Sequence, residues 1–464
     1  MRKIKLIFVL CVCCTFSGMA QLDIDSVGNI VISKNIYLSS ASNFLGTIGN
    51  FPITFKVNNV LAGFTGKSGI DNVSFGYESL KNSGPELGNV AIGVKALYSN
   101  TDGGANTAVG YQALYNNTWG SSNTAVGYQA LYSSTWSGSN TANGYQALYS
   151  NDEGDGNTAN GAHALYNNTG GSSNTANGYC ALYGNMDGRA NTANGYCALY
   201  GNTDGSYNIA NGIYALRSNT NGSYNTAIGT DALYYNTTGS CNIAIGLSAL
   251  YTNTIGDCNT AIGYEANFSA GTNLSNATAI GNNAAATSSN QVRIGNGMVT
   301  SIGGYVGWTN FSDGRAKKNI RTEVPGLAFI NRLQPITYNL DLDAIDDLLK
   351  IDRTGKTGED TLKRSLPQKL IDFNRQAREA KQNVVQTGFV AQDVERMAKS
   401  IGYDFSGVDV DELGIYGLRY SEFVVPLVKA VQELSEQNNQ LQERVNQLTE
   451  LVSRLLEKES KETK

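Results

Sequence analysis

A repeating pattern of polar, apolar and glycine positions occupies the middle of this chain. The phrase Asn-Thr-Ala-x-Gly returns every 17 residues in twelve copies, which begin at Asn72, Asn89, Asn106, Asn123, Asn140, Asn157, Asn174, Asn191, Asn208, Asn225, Asn242 and Asn259. A thirteenth copy around 277–281 is displaced by one residue. The consensus is N-T-A-x-G-Y-x-A-L-Y-x-N-T-x-G-x-x, whose positions we number 1 to 17. A unit this short cannot bury a face alone, so the pattern predicts copies stacked on one another.

Each copy has the composition of one short strand followed by turns. Positions 1 to 4 favour a strand, and positions 12 to 15 are typical of a turn, because Asn and Gly tolerate positive φ. Adjacent Ala and Leu at positions 8 and 9 break period-two alternation and fit either a bulge or one helical turn. We therefore expect a mainly β array in which each repeat forms one rung.

Position 4 of the repeat changes character along the array. It is aliphatic in the outer copies, whereas five central copies carry Asn143, Asn160, Asn177, Asn194 and Asn211. We expect this position to point inward because it is apolar on both sides of the central block. The five asparagines would then form a buried ladder that needs hydrogen-bond partners.

A second periodicity begins at Leu427 and predicts a coiled coil over 426–464. Apolar residues alternate in steps of four and three, with leucines at d and mostly valines at a: Leu427, Val431, Leu434, Asn438, Leu441, Val445, Leu448, Val452 and Leu455. Valine at a, leucine at d and a single Asn438 favour two strands in simple peptides. The family resemblance described below implies three, which we expect the neighbouring domain to impose.

Composition divides the rest of the chain. A basic start, an apolar run and small residues before Gln21 predict a cleaved secretion signal, with a short membrane anchor as the alternative. Between residues 21 and 68, apolar and polar residues alternate in places, which predicts strands. We divide the chain into a signal peptide (1–20), a β-rich cap (21–68), a repeat fibre (69–290), a connector (291–311), an α+β domain (312–425) and the coiled coil (426–464). The protein is expected to be secreted or held at the cell surface.

Charge and composition exclude several functions. The formal net charge of -5 gives no basic face for nucleic acid, and no stretch after the N-terminus is apolar enough to span a membrane. A glycan-cleaving site needs two positioned carboxylates, but the acids of the array fall mostly in variable turns. We expect no cofactor and no metal, and His163, at variable position 7, reads as a surface residue. The array is either a passive stalk or an adhesive surface whose tyrosines at positions 6 and 10 stack on glycans or a host receptor.

The array cysteines fall on the repeat period. Cys180 and Cys197 share position 7, while Cys241 and Cys258 share position 17. Neighbouring rungs lie roughly 4.8 Å apart, within the Cα separation that a disulfide tolerates, and a secreted protein permits oxidation. Two rung-to-rung disulfides are therefore one hypothesis. The alternative is that cysteines occupy variable positions as ordinary small residues.

The junction after the array contains a candidate catalytic pair. Ser312 and Lys317 lie five residues apart, where the composition shifts from Gly and Asn to charged and helix-forming residues. A serine hydroxyl needs a base to attack a carbonyl, and a lysine can serve when burial lowers the pKa of its ammonium group. Alone, such a pair is a weak signal, since serine and lysine are common on surfaces.

The phrases around this pair carry a family resemblance. The chain reads Ser-Asp-x-Arg-x-Lys-x-Asn-Ile from Ser312, Leu-Gln-Pro-Ile-Thr-Tyr at 333–338 and Thr-Gly-Phe-Val-Ala-Gln-Asp-Val-Glu at 387–395. These three phrases, in this order, resemble the endosialidase-type intramolecular chaperone, a self-cleaving serine peptidase module of phage tail spikes and fibres that also occurs in myelin regulatory factor. The charged segment 341–386 has no match in the phage members and is expected to be an insertion. The array resembles the repeats of trimeric autotransporter heads and phage fibre shafts, which implies a trimeric β-roll or β-solenoid.

The resemblance implies a homotrimer whose C-terminal domain helps the fibre to fold and then cuts itself off. Ser312 would be the nucleophile, Lys317 the base, and Phe311-Ser312 the scissile bond, in a single turnover on the chain itself. Attack from the same chain and attack from a neighbouring chain both remain open. The alternatives are a non-cleaving structural or adhesive fibre and a phage-derived tail-fibre protein that binds surface glycans.

Overall fold

A computed structural model describes residues 22–24, 30–32, 53–57, 60–67, 70–84, 88–268, 273–305, 307–349 and 368–462. The predicted signal peptide (1–20) lies outside these ranges. Strands β1 (Leu22–Ile24) and β2 (Ile30–Ile32) pair antiparallel, as do β3 (Ile53–Val57) with β4 (Val60–Lys67) and β4 with β5 (Ile70–Phe75). Strand β5, which holds the first repeat copy, then pairs in parallel with β6 (Val90–Ile92), so the antiparallel strands continue directly into the array.

The array folds as a β-solenoid of about 13 turns, which confirms the predicted repeat architecture. Its parallel strands are β6 (Val90–Ile92), β7 (Thr107–Val109), β8 (Thr124–Val126), β9 (Thr141–Asn143), β10 (Thr158–Asn160), β11 (Thr175–Asn177), β12 (Thr192–Asn194), β13 (Ile209–Asn211), β14 (Thr226–Ile228), β15 (Ile243–Ile245) and β16 (Thr260–Ile262). Each residue pairs with the residue 17 positions later, as in Thr158 with Thr175, so one repeat is one rung.

The last turns depart from the 17-residue period. Strand β18 (Thr278–Ile280) follows β16 with an offset of 18, as predicted for the displaced thirteenth copy, and β20 (Val292–Ile294) follows with an offset of 14. Two short strands, β17 (Asn267–Phe268) and β19 (Ala285–Ala286), form a separate parallel pair. Together β3 to β16, β18 and β20 make one sheet of 16 strands.

The solenoid core is narrow and built from small side chains. Position 3 alanine and the adjacent Ala and Leu at positions 8 and 9 are fully buried in turn after turn, as in Ala108, Ala113 and Leu114. Positions 6 to 11 form a turn, neither a bulge nor a helical turn. Within it Gln112 and Leu114 adopt φ of 53° and 51°, a left-handed conformation that costs a non-glycine residue roughly 1–2 kcal/mol. Burial of Leu114 and a hydrogen bond from its N–H to the Ala130 carbonyl offset that cost.

The prediction that position 4 points inward is wrong. Each repeat strand has three residues, and its central alanine points into the core, so positions 2 and 4 both face outward. The asparagines of the central block therefore lie on the outer face. There Asn160 Nδ2 donates to Asn177 Oδ1 at 2.9 Å, and Asn177 Nδ2 donates to Asn194 Oδ1 at 2.8 Å.

The buried asparagine ladders occupy positions 1 and 12 instead. Asn174 is fully buried; its Nδ2 donates to the Gly188 carbonyl, and its Oδ1 accepts from the Asn191 N–H, both at 2.9 Å. At position 12, Asn185 Nδ2 donates to Asn168 Oδ1 at 2.7 Å and to the Gly188 carbonyl at 3.0 Å. These side chains pair buried polar groups that the strands leave unsatisfied, so each turn depends on the next.

Glycine at position 5 is required by close contact between turns. Gly110 has a φ of 140°, and a Cβ there would lie 2.2 Å from the Gly127 carbonyl oxygen of the next turn. Any side chain would push the turns apart, which explains why this position is glycine in every copy.

The C-terminal region is a small α+β unit followed by one long helix, as predicted. Its elements are α1 (Leu327–Ile330), β21 (Ile336–Tyr338), α2 (Leu342–Leu348), α3 (Gln368–Gln382), β22 (Gln386–Gly388), α4 (Ala391–Ser400), β23 (Val408–Val410), β24 (Tyr416–Leu418) and α5 (Val424–Glu462). Strands β21 and β22 pair antiparallel, as do β23 and β24. The core gathers the buried side chains Phe329, Val394, Ala398, Phe405 and Phe423.

The predicted insertion at 341–386 contributes α2 and α3. Arg378 of α3 reaches Asp343 and Asp346 of α2, with nitrogen–oxygen distances of 2.5 and 2.8 Å. Among the described residues, these ion pairs link the two helices.

Replacing a ladder asparagine tests how strongly the turns depend on one another. We expect Asn174→Ala to lower the free energy of unfolding by about 1–3 kcal/mol, because the Asn191 N–H and the Gly188 carbonyl each lose a partner. Asn177→Ala, three residues away on the outer face, should change it by less than about 0.5 kcal/mol. Urea unfolding followed by circular dichroism measures both, and equal losses would contradict the assignment of the core ladder.

Candidate functional site

The structure brings the two candidate catalytic side chains together. Lys317 Nζ donates a hydrogen bond to Ser312 Oγ at 2.8 Å. A 3-10 turn over Gly314–Ala316 sets this distance, since the Lys317 N–H donates to the Gly314 carbonyl at 3.1 Å and folds the chain back. Asp313 caps the turn by accepting the Arg315 N–H at 2.9 Å. The turn therefore brings together two side chains that lie five residues apart in the sequence.

The charged neighbours of the pair bind each other. Asp313 and Arg315 form an ion pair with a nitrogen–oxygen distance of 2.6 Å, and the hydrogen bonds from Arg315 lower the pKa of the exposed Asp313 carboxyl. Within the described residues no carboxylate pairs with Lys317, so the Ser312 hydroxyl is its side-chain partner there. The Asp313 carboxylate thus pairs with Arg315 and not with Lys317.

The candidate scissile bond lies on the mostly exposed segment 295–320, which we call the strap. Phe311 and Trp308 are each 84% exposed, and Ser312 and Lys317 are exposed as well. The strap has no strand or helix among its described residues between β20 and the 3-10 turn. No described residue of the single chain shields the pair from water, so we expect a dry catalytic environment to form only when other chains pack against it.

The three phrases that carried the family resemblance occupy different places. Residues 333–338 and 387–395 meet where β21 pairs with β22, with Ile336 opposite Gly388. The Phe389 ring stacks on Phe423 of the core at a centroid distance of 5.5 Å. The first phrase, which holds the Ser–Lys pair, lies outside this core on the strap.

The C-terminal unit also touches the end of the solenoid directly. Thr287 Oγ1 donates to Asp411 Oδ2 at 2.5 Å, and the Ser289 N–H donates to Glu412 Oε1 at 2.9 Å. In return the Glu412 N–H donates to Ser288 Oγ at 3.1 Å. These contacts, which we call the docking contacts, hold the two parts together independently of the strap.

The tyrosines at positions 6 and 10 form ladders along the solenoid. At position 10, rings from Tyr98 to Tyr200 stack nearly parallel with centroid distances of 5.1–5.2 Å, as in Tyr98 on Tyr115. Burial, followed by the neighbouring rings, raises the pKa of Tyr132, Tyr166 and Tyr200, so these three rings are uncharged at neutral pH. Each ring covers the face of the next, so the ladders present mainly ring edges to solvent.

His163 is not the surface residue expected from the sequence. Its half-buried ring lies edge-on among four tyrosines, with centroids 5.2 Å from Tyr145 and 5.3 Å from Tyr166. Position 6 of this turn is Ala162 instead of tyrosine, and the imidazole fills the space left in the ladder. In the part of the chain that the structure describes, no group of three or more His, Cys, Asp or Glu side chains is placed to hold a metal.

The four array cysteines lie in facing pairs as free thiols. The Cys180 and Cys197 thiols are within hydrogen-bond reach, as are those of Cys241 and Cys258. Burial, then the neighbouring Cys180, raises the pKa of Cys197 to about 11, whereas Cys241 and Cys258 are exposed. One turn separates the members of each pair, as predicted, and disulfide formation stays a prediction about the oxidised protein.

Comparison with known proteins assigns no family. No protein-family model matches this chain, and no curated protein matches it. The described residues define a β-solenoid, a mixed α/β region and a long C-terminal helix; among them no helix combines the length and apolarity needed to cross a bilayer.

Alkylation rates should separate the two cysteine pairs. In the reduced protein at pH 8, we expect Cys241 and Cys258 to react with iodoacetamide at least about tenfold faster than Cys197, of which only about one thiol in a thousand is ionised. Peptide mass spectrometry gives the rates, with urea-unfolded protein as the control in which all four react alike. Equal rates in the folded protein would contradict the burial of Cys197. Four free thiols in the non-reduced mature protein would exclude both disulfides.

Proposed function

We propose that this protein is a secreted or cell-surface trimeric fibre whose C-terminal domain assists trimer folding and is released by self-cleavage between Phe311 and Ser312. The observation that carries the proposal is the 2.8 Å hydrogen bond from Lys317 Nζ to Ser312 Oγ, formed on an exposed strap between a solenoid and an assembly helix. Export rests on the predicted signal peptide at 1–20. The activity is a single-turnover serine endopeptidase reaction.

The long helix supports assembly of several chains. Its a and d residues are exposed along the length of α5, with Leu434 57% and Leu448 61% exposed. Fully burying one leucine or valine contributes about 1.5–3 kcal/mol, so a stripe of this length strongly favours association with other copies. The a/d spacing selects a coiled coil, and the proposed third strand comes from the chaperone resemblance.

The cleavage step follows from the position of the serine just after the scissile bond. Ser312 Oγ attacks the carbonyl carbon of Phe311 while Lys317, in its neutral form, accepts the hydroxyl proton. The C–N bond breaks as the Ser312 nitrogen takes up a proton, which leaves an ester between Phe311 and Ser312 Oγ. Water then hydrolyses that ester, giving a Phe311 carboxylate and a free Ser312 amino terminus. Attack on the Phe311 carbonyl of a neighbouring chain is the alternative route.

Exposure of the pair links cleavage to assembly. A lysine acts as a base only where its charged form is disfavoured, and desolvation is the usual means. Since the strap is open in one chain, packing of neighbouring chains around it would complete the site only after the trimer forms. Premature cleavage of unassembled chains is thereby avoided.

Trimer formation by this solenoid requires a segment that sets the alignment of neighbouring chains. Its turns are nearly identical, so chains associating side by side could pair out of register by one turn at small cost. A coiled coil at one end fixes the alignment, and its later removal leaves the fibre kinetically trapped. A non-cleaving structural or adhesive fibre, including a phage-derived fibre that binds glycans, is the second candidate, and the outer surface of the solenoid would serve either.

Substitution of the pair tests self-cleavage. We expect Ser312→Ala and Lys317→Ala each to leave full-length protein, because one removes the nucleophile and the other the base. Lys318→Ala, at the adjacent lysine, is the matched control and should be cut normally. Intact mass and N-terminal sequencing of the C-terminal fragment measure the outcome; normal cleavage in both variants would overturn the assignment of the pair.

Substitution of the helix stripe tests the dependence on assembly. In Leu441→Glu with Leu448→Glu, two buried charges per chain would prevent the coiled coil, so we expect monomers and at least about tenfold less cleavage. Gln447→Glu adds a charge at an outward heptad position and should leave both properties intact. Light scattering after size-exclusion chromatography gives the chain number. Trimers that persist in the double variant would show that α5 does not drive assembly.

A further inference from the structure

Two exposed tryptophans interrupt an otherwise polar corner of the solenoid. Trp119 and Trp136 both occupy position 14 on consecutive turns, where they are 51% and 64% exposed. Their rings stack with a centroid distance of 5.5 Å and an interplanar angle of 6°. Position 14 elsewhere in the array is mostly Asp, Glu, Gly, Asn or Thr. Within the described part of the solenoid, this pair places two large exposed indole rings side by side.

Each tryptophan has one ring face that the other indole does not cover. The inner faces cover each other, so the outer face of Trp119 is directed toward the preceding turn and that of Trp136 toward the following turn. Position 14 of those turns carries Asp102 and Glu153, both exposed. The order along the solenoid axis is therefore carboxylate, indole, indole, carboxylate, with one turn, roughly 4.8 Å, between neighbours.

The two flanking carboxylates are not neutralised by the protein. No ion pair or side-chain hydrogen bond within the described residues engages Asp102 or Glu153, although nearby Asp155 accepts the Gly138 N–H at 2.7 Å. Between Lys95 and Arg189 the sequence contains no lysine or arginine, whereas it contains Asp102, Asp152, Glu153, Asp155 and Asp187. This side of the array therefore carries an uncompensated negative potential.

From this arrangement we infer that the corner formed by Trp119, Trp136, Asp102 and Glu153 binds a quaternary ammonium group such as choline. An indole face attracts a cation placed within about 6 Å of its centroid, and tryptophan is the strongest of the aromatic residues in this respect. The methyl groups of a quaternary ammonium cover the apolar ring, while the adjacent carboxylate attracts the charge. A neutral sugar would use the ring face but gain nothing from the charge of the surrounding surface.

The inference is independent of self-cleavage and of the number of chains. Free choline and a choline-bearing lipid headgroup present the same chemistry, so the experiment includes both. A titration is made on the full chain carrying Trp308→Phe, which leaves Trp119 and Trp136 as the tryptophans, and their emission is excited selectively over that of tyrosine. Choline chloride is compared with sodium chloride at equal ionic strength and with methyl glucoside. Cosedimentation with phosphatidylcholine and phosphatidylglycerol vesicles tests the lipid source.

We expect choline to change the fluorescence saturably, with no comparable response to sodium chloride or methyl glucoside. Trp136→Ala should abolish the response, and Asp102→Asn with Glu153→Gln should weaken it about tenfold and remove its salt dependence. Ile255→Ala, at position 14 of a distant turn, is the matched control and should leave binding intact. Cosedimentation with phosphatidylcholine would assign a lipid source, and binding of free choline alone a soluble one. A response to methyl glucoside equal to or above that to choline, or none to choline, would overturn the inference.

Discussion

Hydrogen bonding between consecutive turns is the constraint on which the solenoid depends. A 17-residue turn encloses little more than two alanines and one leucine, too little apolar surface to hold a core by itself. Asparagines at positions 1 and 12 are buried in that core, and their amides bond to adjacent turns as well as to their own turn. A turn without neighbours would lose the hydrogen bonds that cross between turns, so stacking completes the polar core and closes the apolar one together.

The exposed surface follows from the same geometry. Once the central strand residue faces inward, positions 2 and 4 form one outer face, while positions 6, 10 and 14 project from the corners. Because every turn repeats at the same height, equivalent side chains align into ladders, whether tyrosines, asparagines or the two tryptophans. A single substitution within a ladder, such as Ala162 or Arg217, creates a local feature without altering the scaffold. The fold thus separates a uniform interior from an exterior free to vary.

The sequence predicted the period, the one-rung repeat, the slipped thirteenth copy and the long helix, because these depend on spacing alone. It misplaced position 4, since aliphatic residues there suggested a core position although the strand has only one inward residue. The buried Asn174 ladder was missed because asparagine is usually exposed; its presence at the start of every copy was the available signal. The Ser312–Lys317 distance could not be predicted, because the 3-10 turn at Gly314–Ala316 depends on the Asp313 cap. The burial of His163 could not be predicted, because the space that its ring fills beside Ala162 exists only once the turns are stacked.

The docking contacts between Thr287, Ser289, Asp411 and Glu412 have a consequence for how the C-terminal unit would leave the fibre. Cutting the strap breaks one covalent connection but none of these bonds. What changes is effective concentration: a short flexible tether holds its ends near each other at about millimolar concentration, whereas a severed partner returns only as fast as its bulk concentration permits. Separation then becomes a matter of dilution, so the nicked form would persist where chains are crowded and come apart once they are dispersed.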